Sequence, residues 1–473
     1  MEKKYITTAI PYVNAAPHIG FALELIQADV VARYSREKKE DTFFLTGVDE
    51  NSLKNVQAAE KEGISTQELV DRNTQKFIDL TRTLNISNDE FIRTTSEKHK
   101  LGTQKFWQAC KNDIYKKKYK GLYCVGCESF YLKKDLTNGK CPEHKTKPET
   151  VEEENYFFKL SKYQKKLEKL IESDEYQVVP QTRKNEVLNF IKNGLKDFSI
   201  SRSKERAKGW GIPVPGDNSQ IIYVWFDALI NYISALDYDI NGDKFKKFWP
   251  ADIHVIGKGI SRFHAIYWPA MLLSAGLPLP KKLFVHGYVN IGGEKISKSI
   301  GNTVDPFELV KKYDVDAVRY FLLREIPAHG DGDFSEERFR EKYNADLSNN
   351  LGNLISRTAN LIEKNEIEFA KLEVKPNEFE KQIDKFYSDF KFDEILKFIW
   401  QKIDEANLYI NKKEPWKVKE KKELEKIFKK LVIGIQKIAK ALVPFIPETA
   451  QKILNQFSQP KIKKHEILFP RIK

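Results

Sequence analysis

Cysteine is scarce here, four residues in 473, and that scarcity argues against a disulfide-stapled fold. Their placement argues the same way: Cys124, Cys127 and Cys141 crowd one short segment and Cys110 stands alone nearby, a clustering that points to metal rather than to cross-links. Long apolar runs are missing too. No segment approaches the roughly 20 apolar residues that a membrane span needs. The first residues, Met1 to Ile10, run straight into a strand-like stretch with neither an apolar signal core nor an Arg/Ser-rich presequence. A soluble, cytoplasmic protein with no membrane partner is therefore expected. Internal repeats and long low-complexity linkers are absent as well. Acidic charge is in deficit, 67 Asp and Glu against 80 Lys and Arg, for a formal net charge of +13. Such a surface favours polyanions through counterion release, although a Lys-rich composition alone gives the same balance.

What is present exceeds one core. The chain is 41% hydrophobic and 12% aromatic, and single cores rarely grow past about 250 to 300 residues, so two or three domains are expected. Residues 5–10 read as a strand, 11–17 as a turn, 19–38 as an amphipathic helix and 42–45 as a second strand. That order is a βαβ unit with a parallel sheet. Similar short strands are expected at 221–225, 254–256 and 283–286, each trailed by a helix-like segment. The fold class is thus α/β, with a parallel, Rossmann-like nucleotide-binding sheet split by an insertion from about Tyr119 to Ser203, in which Gly121, Gly126, Gly139 and Pro142 mark turns. From about Glu336 onward, Leu347, Leu351, Leu354 and Ile355, then Leu431, Ile435, Ile438 and Leu442, recur at helical spacing. This last third reads as a helical bundle.

Three short motifs carry chemistry. Cys124-Val-Gly-Cys127 and Cys141-Pro-Glu-His144 are two paired ligand sets separated by a hairpin-length spacer. Three thiolates and one imidazole close a tetrahedral shell around one structural Zn2+ with no position open to substrate, holding a knuckle that has little core of its own. Pro17-His18-Ile19-Gly20-Phe21 sits where the first strand hands over to the first long helix. Helix N-termini bind anions through free backbone amides; Gly20 lets a phosphate approach the backbone and His18 can donate to its oxygens. Lys295-Ile296-Ser297-Lys298-Ser299 follows the pair Gly292-Gly293 and precedes Gly301, a cationic loop suited to charge developing on a phosphoryl group. Taken singly, the last two motifs read more readily as a helix cap and a solvated basic turn.

Taken together they resemble the paired signatures of class I aminoacyl-tRNA synthetases, usually His-Ile-Gly-His and Lys-Met-Ser-Lys-Ser, in the same order and strand contexts. Further segments are similar to the methionine branch: Ile10-Pro11-Tyr12-Val13-Asn14, Phe44 through Glu50, Tyr223-Val224-Trp225-Phe226-Asp227-Ala228-Leu229, Phe263-His264 with Trp268 to Met271, and Val285-His286-Gly287-Tyr288. The resemblance covers essentially the whole chain. It implies activation of L-methionine by ATP with Mg2+, then transfer to tRNA(Met), with His18, Lys295 and Lys298 acting on the phosphates. ATP contacts carry over onto Tyr12, Asn14, His18, Gly20, Phe21, Gly257, Lys295, Ser297 and Lys298. The methionine pocket carries over onto Ile10, Tyr12, Asp49, Arg202, Trp225, Ala228, Leu229, Tyr232, Ile260 and His264, with Asp49 on the α-ammonium and Arg202 orienting that carboxylate. Asn353, Arg357, Pro415 and Trp416 carry over as anticodon contacts. The implied divisions are 1–118 and 209–335 for the catalytic domain, 119–208 for the connective insertion with its knuckle, and 336–473 for the anticodon-binding bundle.

Several positions depart from the commoner pattern. Phe21 replaces the second His of the first signature, Asp49-Glu50-Asn51-Ser52 stands for Asp-Glu-His-Gly, and Gly257-Lys258-Gly259-Ile260 lacks the usual carboxylate at 259. Slower activation or weaker ATP binding is expected. Because the sequence ends at Lys473 without an appended oligonucleotide-binding domain, a monomer is expected. A class I synthetase for another apolar amino acid is the nearest alternative, but about 85 residues of insertion leave no room for the large editing domain those relatives carry. The other alternative, a non-catalytic tRNA-binding paralogue, is disfavoured by the retained lysines.

Overall fold

The structure is a computed structural model and describes residues 2–124, 129–131, 133–142, 145–295, 303–370, 372 and 378–472. The chain forms two compact units, one from Met1–Pro17, Glu40–Thr81 and Asn88–Val285, the other from His18–Lys39, Arg82–Ser87 and His286–Lys473.

The first unit is built on a six-stranded sheet in the order Glu90–Arg93, Asp41–Val48, Lys3–Thr8, Ile253–Gly257, Lys282–His286, Gln177–Val179. Lys3–Thr8 pairs in parallel with Asp41–Val48 on one side and with Ile253–Gly257 on the other. Asp41–Val48 buries Phe43 to Val48 without alternation, as a strand covered on both faces must. The strand order reverses between Lys3–Thr8 and Ile253–Gly257, which creates a crevice at their carboxyl ends. Of the strands expected in this sheet, 254–256 and 283–286 are present, but 221–225 is not. Ile221 and Ile222 end an antiparallel strand, Asp217–Ile222, paired with Ser201–Ser203 and Pro213–Val214, and Trp225 lies on the helix Val224–Leu229. An apolar β-prone run fixes burial, not the direction of its partners.

The insertion is an antiparallel sheet whose spine is the pairing of Ile114–Cys124 with Glu149–Phe158, flanked by Ser129–Tyr131 and Phe198–Ser199. Gly121 is inside this ladder opposite Val151, not in a turn. A Cβ there would stand 2.2 Å from the Tyr119 ring, so the glycine makes room for a side chain rather than for a bend. Gly139, at φ 73°, does occupy a turn, and Gly126 lies outside the described residues.

The second unit is mainly helical, with a small sheet in the order Glu294–Lys295, Val289–Ile291, Gly332–Asp333. Its first helix, Ile19–Glu37, is buried on nearly every face, with Glu24, Gln27 and Asp29 all inside; the amphipathic expectation fails because Glu24 and Asp29 find partners in the core, His286 and Arg319, instead of water. The expected bundle is present in helices that include Asn353–Lys364, Phe392–Lys413, Lys421–Leu442 and Pro447–Phe457. Leu347, Leu351, Leu354, Ile355, Leu431, Ile435, Ile438 and Leu442 are all buried. Among the described residues no helix is long and apolar enough to cross a membrane.

Candidate active site

In the first unit, the chain leaving Lys3–Thr8 carries Ile10 and Tyr12, the chain leaving Asp41–Val48 carries Asp49, and the chain leaving Ile253–Gly257 carries Ile260. These four residues therefore stand at the strand ends around the crevice. Pairing continues one step past the strands: Tyr12 and Asp49 form a parallel bridge, and the Asp49 amide donates to the Pro11 carbonyl at 2.8 Å. The Asp49 side chain is 1% exposed. Its Oδ1 accepts from the Asn51 amide at 3.0 Å and from Thr94 Oγ1 at 3.4 Å, and these bonds fix the carboxylate's direction.

The helix Val224–Leu229 and the turn after it supply Trp225, Ala228, Leu229 and Tyr232, and a wide π-helical turn, Phe263–Tyr267, supplies His264. Trp225 lies flat on Phe263, with ring centroids 3.7 Å apart, and edge-on to His264. His264 Nδ1 donates to the Ile260 carbonyl at 3.0 Å, because a carbonyl can only accept. Nε2 is then an acceptor, and Tyr232 Oη donates to it at 2.7 Å. Burial pushes the His264 imidazole down to about 4, so the ring is neutral at physiological pH. His254, whose ring centroid is 4.2 Å from that of Tyr232, is driven well below the ordinary value by burial and then by His264. The result is an aromatic wall without charge. Arg202 is also buried; its Nη1 donates to Ser199 Oγ and the Ser201 carbonyl, and its guanidinium stands 4.4 Å over the Tyr223 ring. Of the expected nucleotide contacts in this unit, Asn14 is exposed and Gly257 half-buried.

Four residues of this region escaped the sequence reading as functional groups. Phe263 completes the Trp225 stack, and Asn51, Asp227 and His99 form a buried chain of hydrogen bonds. Asp227 sits within a family-like segment, which was a signal; His99 gave none.

In the second unit His18 is the N-cap of the helix Ile19–Glu37. The Gly20 amide donates to His18 Nδ1 at 3.1 Å, which places the ring proton on Nε2, the form that can donate to a phosphate oxygen. Gly20 is needed for this fold-back, since a Cβ would stand 2.9 Å from His18 Cε1. Phe21 is buried. The hairpin Val289–Ile291 with Glu294–Lys295 turns on Gly292 and Gly293, both at positive φ (62° and 77°), as a two-residue hairpin turn of the mirror-image kind requires. Ile296 to Asn302 lie outside the described residues, Ser297 and Lys298 among them. On the far side of that segment, the Val304 carbonyl accepts from the Ile19 amide at 3.3 Å. Val304 is thus joined to the first residue of the histidine-capped helix.

Also in the second unit, the Arg357 guanidinium stands 4.9 Å over the Trp416 ring and its Nη1 donates to Asn411 Oδ1 at 2.7 Å. Trp416 is 48% exposed, just past the left-handed Glu414 that ends Phe392–Lys413; Pro415 is buried and Asn353 exposed. An exposed indole backed by a cation is a platform for a planar base.

Cys124 and Cys141 are both buried free thiols. Thr146 joins them: its carbonyl accepts from the Cys141 amide at 2.8 Å, and its hydroxyl lies 3.9 Å from Cys124 Sγ. Cys127 and His144 lie outside the described residues. Among the described residues no group of three or more His, Cys, Asp or Glu could hold a metal.

The family profile described as tRNA synthetases class I (M) matches residues 4–147 and 131–359. A methionine–tRNA ligase of Brucella suis is 44% identical over 98% of this chain and 93% of its own length. One of Thermotoga maritima is 44% identical over 98% of this chain and 77% of its own length. Among solved structures, Mycobacterium tuberculosis methionyl-tRNA synthetase in complex with methionyl-adenylate superposes with a TM-score of 0.93 at 37% identity, covering 100% of both chains.

Proposed function

The chain belongs to the class I methionine–tRNA ligases, and from that membership we propose a residue-level account of how it works. The enzyme activates L-methionine with ATP to methionyl-adenylate and transfers the methionyl group to tRNA(Met).

Methionine binds in the first unit. Asp49, buried and aimed by Asn51 and Thr94, takes the α-ammonium; a buried carboxylate needs a charge partner, and its place at a strand end is where such folds hold ligands. Arg202 orients that carboxylate. Trp225, Tyr232 and His264, with Ile10, Tyr12, Ala228, Leu229 and Ile260, receive the thioether. Sulfur packs well against ring edges, at about 0.3 to 1.5 kcal/mol each, and a wall held neutral at His264 offers nothing to a charged side chain. The observation that carries this reading is the hydrogen-bonded Asp49 carboxylate at a crevice whose aromatic wall, Trp225, Tyr232 and His264, carries no charge.

ATP with Mg2+ is bound with the help of Tyr12, Asn14, Gly20, Phe21, Gly257 and Ser297, and its phosphates are addressed by His18 Nε2 and by Lys295 and Lys298. The methionine carboxylate attacks the α-phosphorus and pyrophosphate leaves; a terminal ribose hydroxyl of the tRNA then attacks the methionyl carbonyl of the adenylate and AMP leaves. No covalent enzyme intermediate is needed; positioning and electrostatic stabilisation do the work. Asn353, Arg357, Pro415 and Trp416 grip the anticodon by stacking. Cys124, Cys127, Cys141 and His144 hold one structural zinc ion, a reading supported by the two buried thiols that Thr146 joins. The enzyme is a monomer whose catalytic halves, 1–118 and 209–335, flank the connective insertion 119–208 and precede the bundle 336–473.

Amino-acid-dependent ATP–pyrophosphate exchange tests this account. Exchange is expected with methionine and not with leucine, isoleucine or valine, and Lys298→Ala is expected to lower its rate by roughly 100-fold or more. A rate at background for the unaltered chain, or one unchanged by Lys298→Ala, refutes it.

A further inference from the structure

The crevice has two parts that must keep their distance from each other: the turn bearing Asp49, and the helix Val224–Leu229 bearing Trp225, Ala228 and Leu229. A direct side-chain link runs between them. Asn51 donates both of its amide protons, one to Asp227 Oδ2 at 2.7 Å and one to the Thr94 carbonyl at 3.1 Å. Its backbone amide meanwhile donates to Asp49 Oδ1 at 3.0 Å. Asp227 is fully buried on the helix that carries the pocket residues Trp225, Ala228 and Leu229. Its other oxygen receives His99 Nε2 at 2.6 Å and Thr103 Oγ1 at 3.4 Å, and His99 Nδ1 is in turn 2.8 Å from Ser234 Oγ. Donors thus meet both Asp227 oxygens, which suits an ionised, acceptor-only carboxylate.

Asn51 stands where the commoner family pattern has histidine, yet it keeps the required chemistry: a donor toward Asp227 and an amide toward Asp49. Asp227 is fully buried and its hydrogen bonds go to protein groups, so it acts through another residue. We propose that Asp227, through Asn51, is the positioning residue that sets the Asp49 carboxylate at the right distance from the thioether wall, and so fixes the length of amino acid the crevice accepts. The link is rigid because each partner is itself held: Asn51 by Thr94, Asp227 by His99. This inference rests on the reading that Asp49 binds the α-ammonium of methionine.

The test is a charge-swap series read in ATP–pyrophosphate exchange, with separate KM values for methionine and ATP. Asn51→Asp sets a carboxylate against Asp227 and removes the donor; KM for methionine is expected to rise about 10-fold or more, the scale of a lost hydrogen bond to a charged group, while KM for ATP stays within about 2-fold. Asp227→Asn in the same chain lets Asn at 227 donate to the new carboxylate and still accept from His99, so the double variant is expected to return to within about 3-fold of the original KM. General loosening of the fold would move both KM values and would not be rescued by the second change. A double variant no better than Asn51→Asp overturns the proposal, as does an unchanged methionine KM in Asn51→Asp. Should Asn51→Asp fail to fold by circular dichroism, Asn51→Ala, which deletes the donor without adding charge, is read by the same two KM values and the same criterion. Asp49→Asn separates the premise from the inference. If it leaves the methionine KM unchanged, the ammonium reading and the positioning role fall together; if it raises that KM while the position 51 variants do not, only the positioning role falls.

Discussion

Asp29 and Arg319 form an ion pair with no exposed surface on either side chain, 2.7 Å between Arg319 Nη2 and Asp29 Oδ2. Burial raises the Asp29 carboxyl's pKa, but Arg319 and then Arg33 more than offset it and hold the group below the usual carboxylate range. Arg319 also donates to the carbonyls of Leu84, Pro444 and Phe445, and the other Asp29 oxygen accepts from the amide and hydroxyl of Ser87. One pair therefore ties the histidine-capped helix to the Val315–Glu325 helix, the 82–87 segment and the turn before the last helix. Asp29→Asn keeps the shape and removes the charge, leaving a guanidinium buried without its counter-ion. Breaking such a pair from one side costs about 3–5 kcal/mol, which for a domain of about 200 residues lowers Tm by roughly 6–20 °C. Because Asp29 is depressed in the folded state, this stabilisation is complete above about pH 4 and is withdrawn only as pH falls through the folded value, so a scan at pH 7.5 reads it whole. Scanning calorimetry is the assay, since a chain with two units need not melt in one step. The replacement Asp29→Leu with Arg319→Met, which removes both charges, should recover much of the loss, because paired buried charges gain little over packed apolar groups. A shift under about 2 °C for Asp29→Asn, or a double variant worse than the single, would refute the argument.

Three further outcomes are expected. Trp416→Ala weakens tRNA binding by about 5- to 100-fold in a filter-binding titration, the range of one lost base stack; an unchanged Kd removes the stacking role. His264 is neutral in the fold to about pH 4, whereas an unfolded histidine takes its proton near pH 6.5. Stability is therefore full above about pH 6.5 and declines by up to about 3 kcal/mol toward pH 4, and His264→Gln flattens the plot of Tm against pH; a parallel plot would refute it. Zinc analysis should find about one ion per chain, reduced by Cys124→Ser or Cys141→Ser; metal-free protein from zinc-replete medium would sink the knuckle.

Local pattern made a large part of this molecule legible. Lys3–Thr8 and Asp41–Val48 are short β-prone stretches, Ile19–Glu37 is the longer run between them, and each is set off by a break before the next, an order that leaves Asp49 just past a strand's carboxyl end. The bundle followed from helical spacing alone, because Leu431, Ile435, Ile438 and Leu442 fall on one face whatever they pack against. Sheet membership was not legible at 221–225. The same apolar run serves an antiparallel edge or a parallel core, and partner choice is made by residues such as Arg202 and Pro213 that carry no pairing signal of their own.

Paired polar groups in the interior were the hidden layer, for a reason rooted in how burial is satisfied. A buried carboxylate is tolerable only with donors around it, and here those donors come from afar: His99 lies 128 positions from Asp227, and Arg319 lies 290 from Asp29. A reader of local periodicity sees Glu24, Gln27 and Asp29 and assigns them to water, so the first helix looks amphipathic; the fold buries all of them. Hydrophobic contacts would tolerate a slide of a few tenths of an ångström, whereas a hydrogen bond at 2.7 Å loses strength steeply with distance and angle. Such bonds hold the helix that His18 caps, through Asp29, and hold the Asp49 carboxylate, through Asn51, to the tolerance that a positioning mechanism needs. It follows that apolar substitutions along these elements should trade mainly in stability, while changes at Asn51 or Asp227 should trade in methionine affinity, a division that the ratio of KM to Tm effects across such a series can measure.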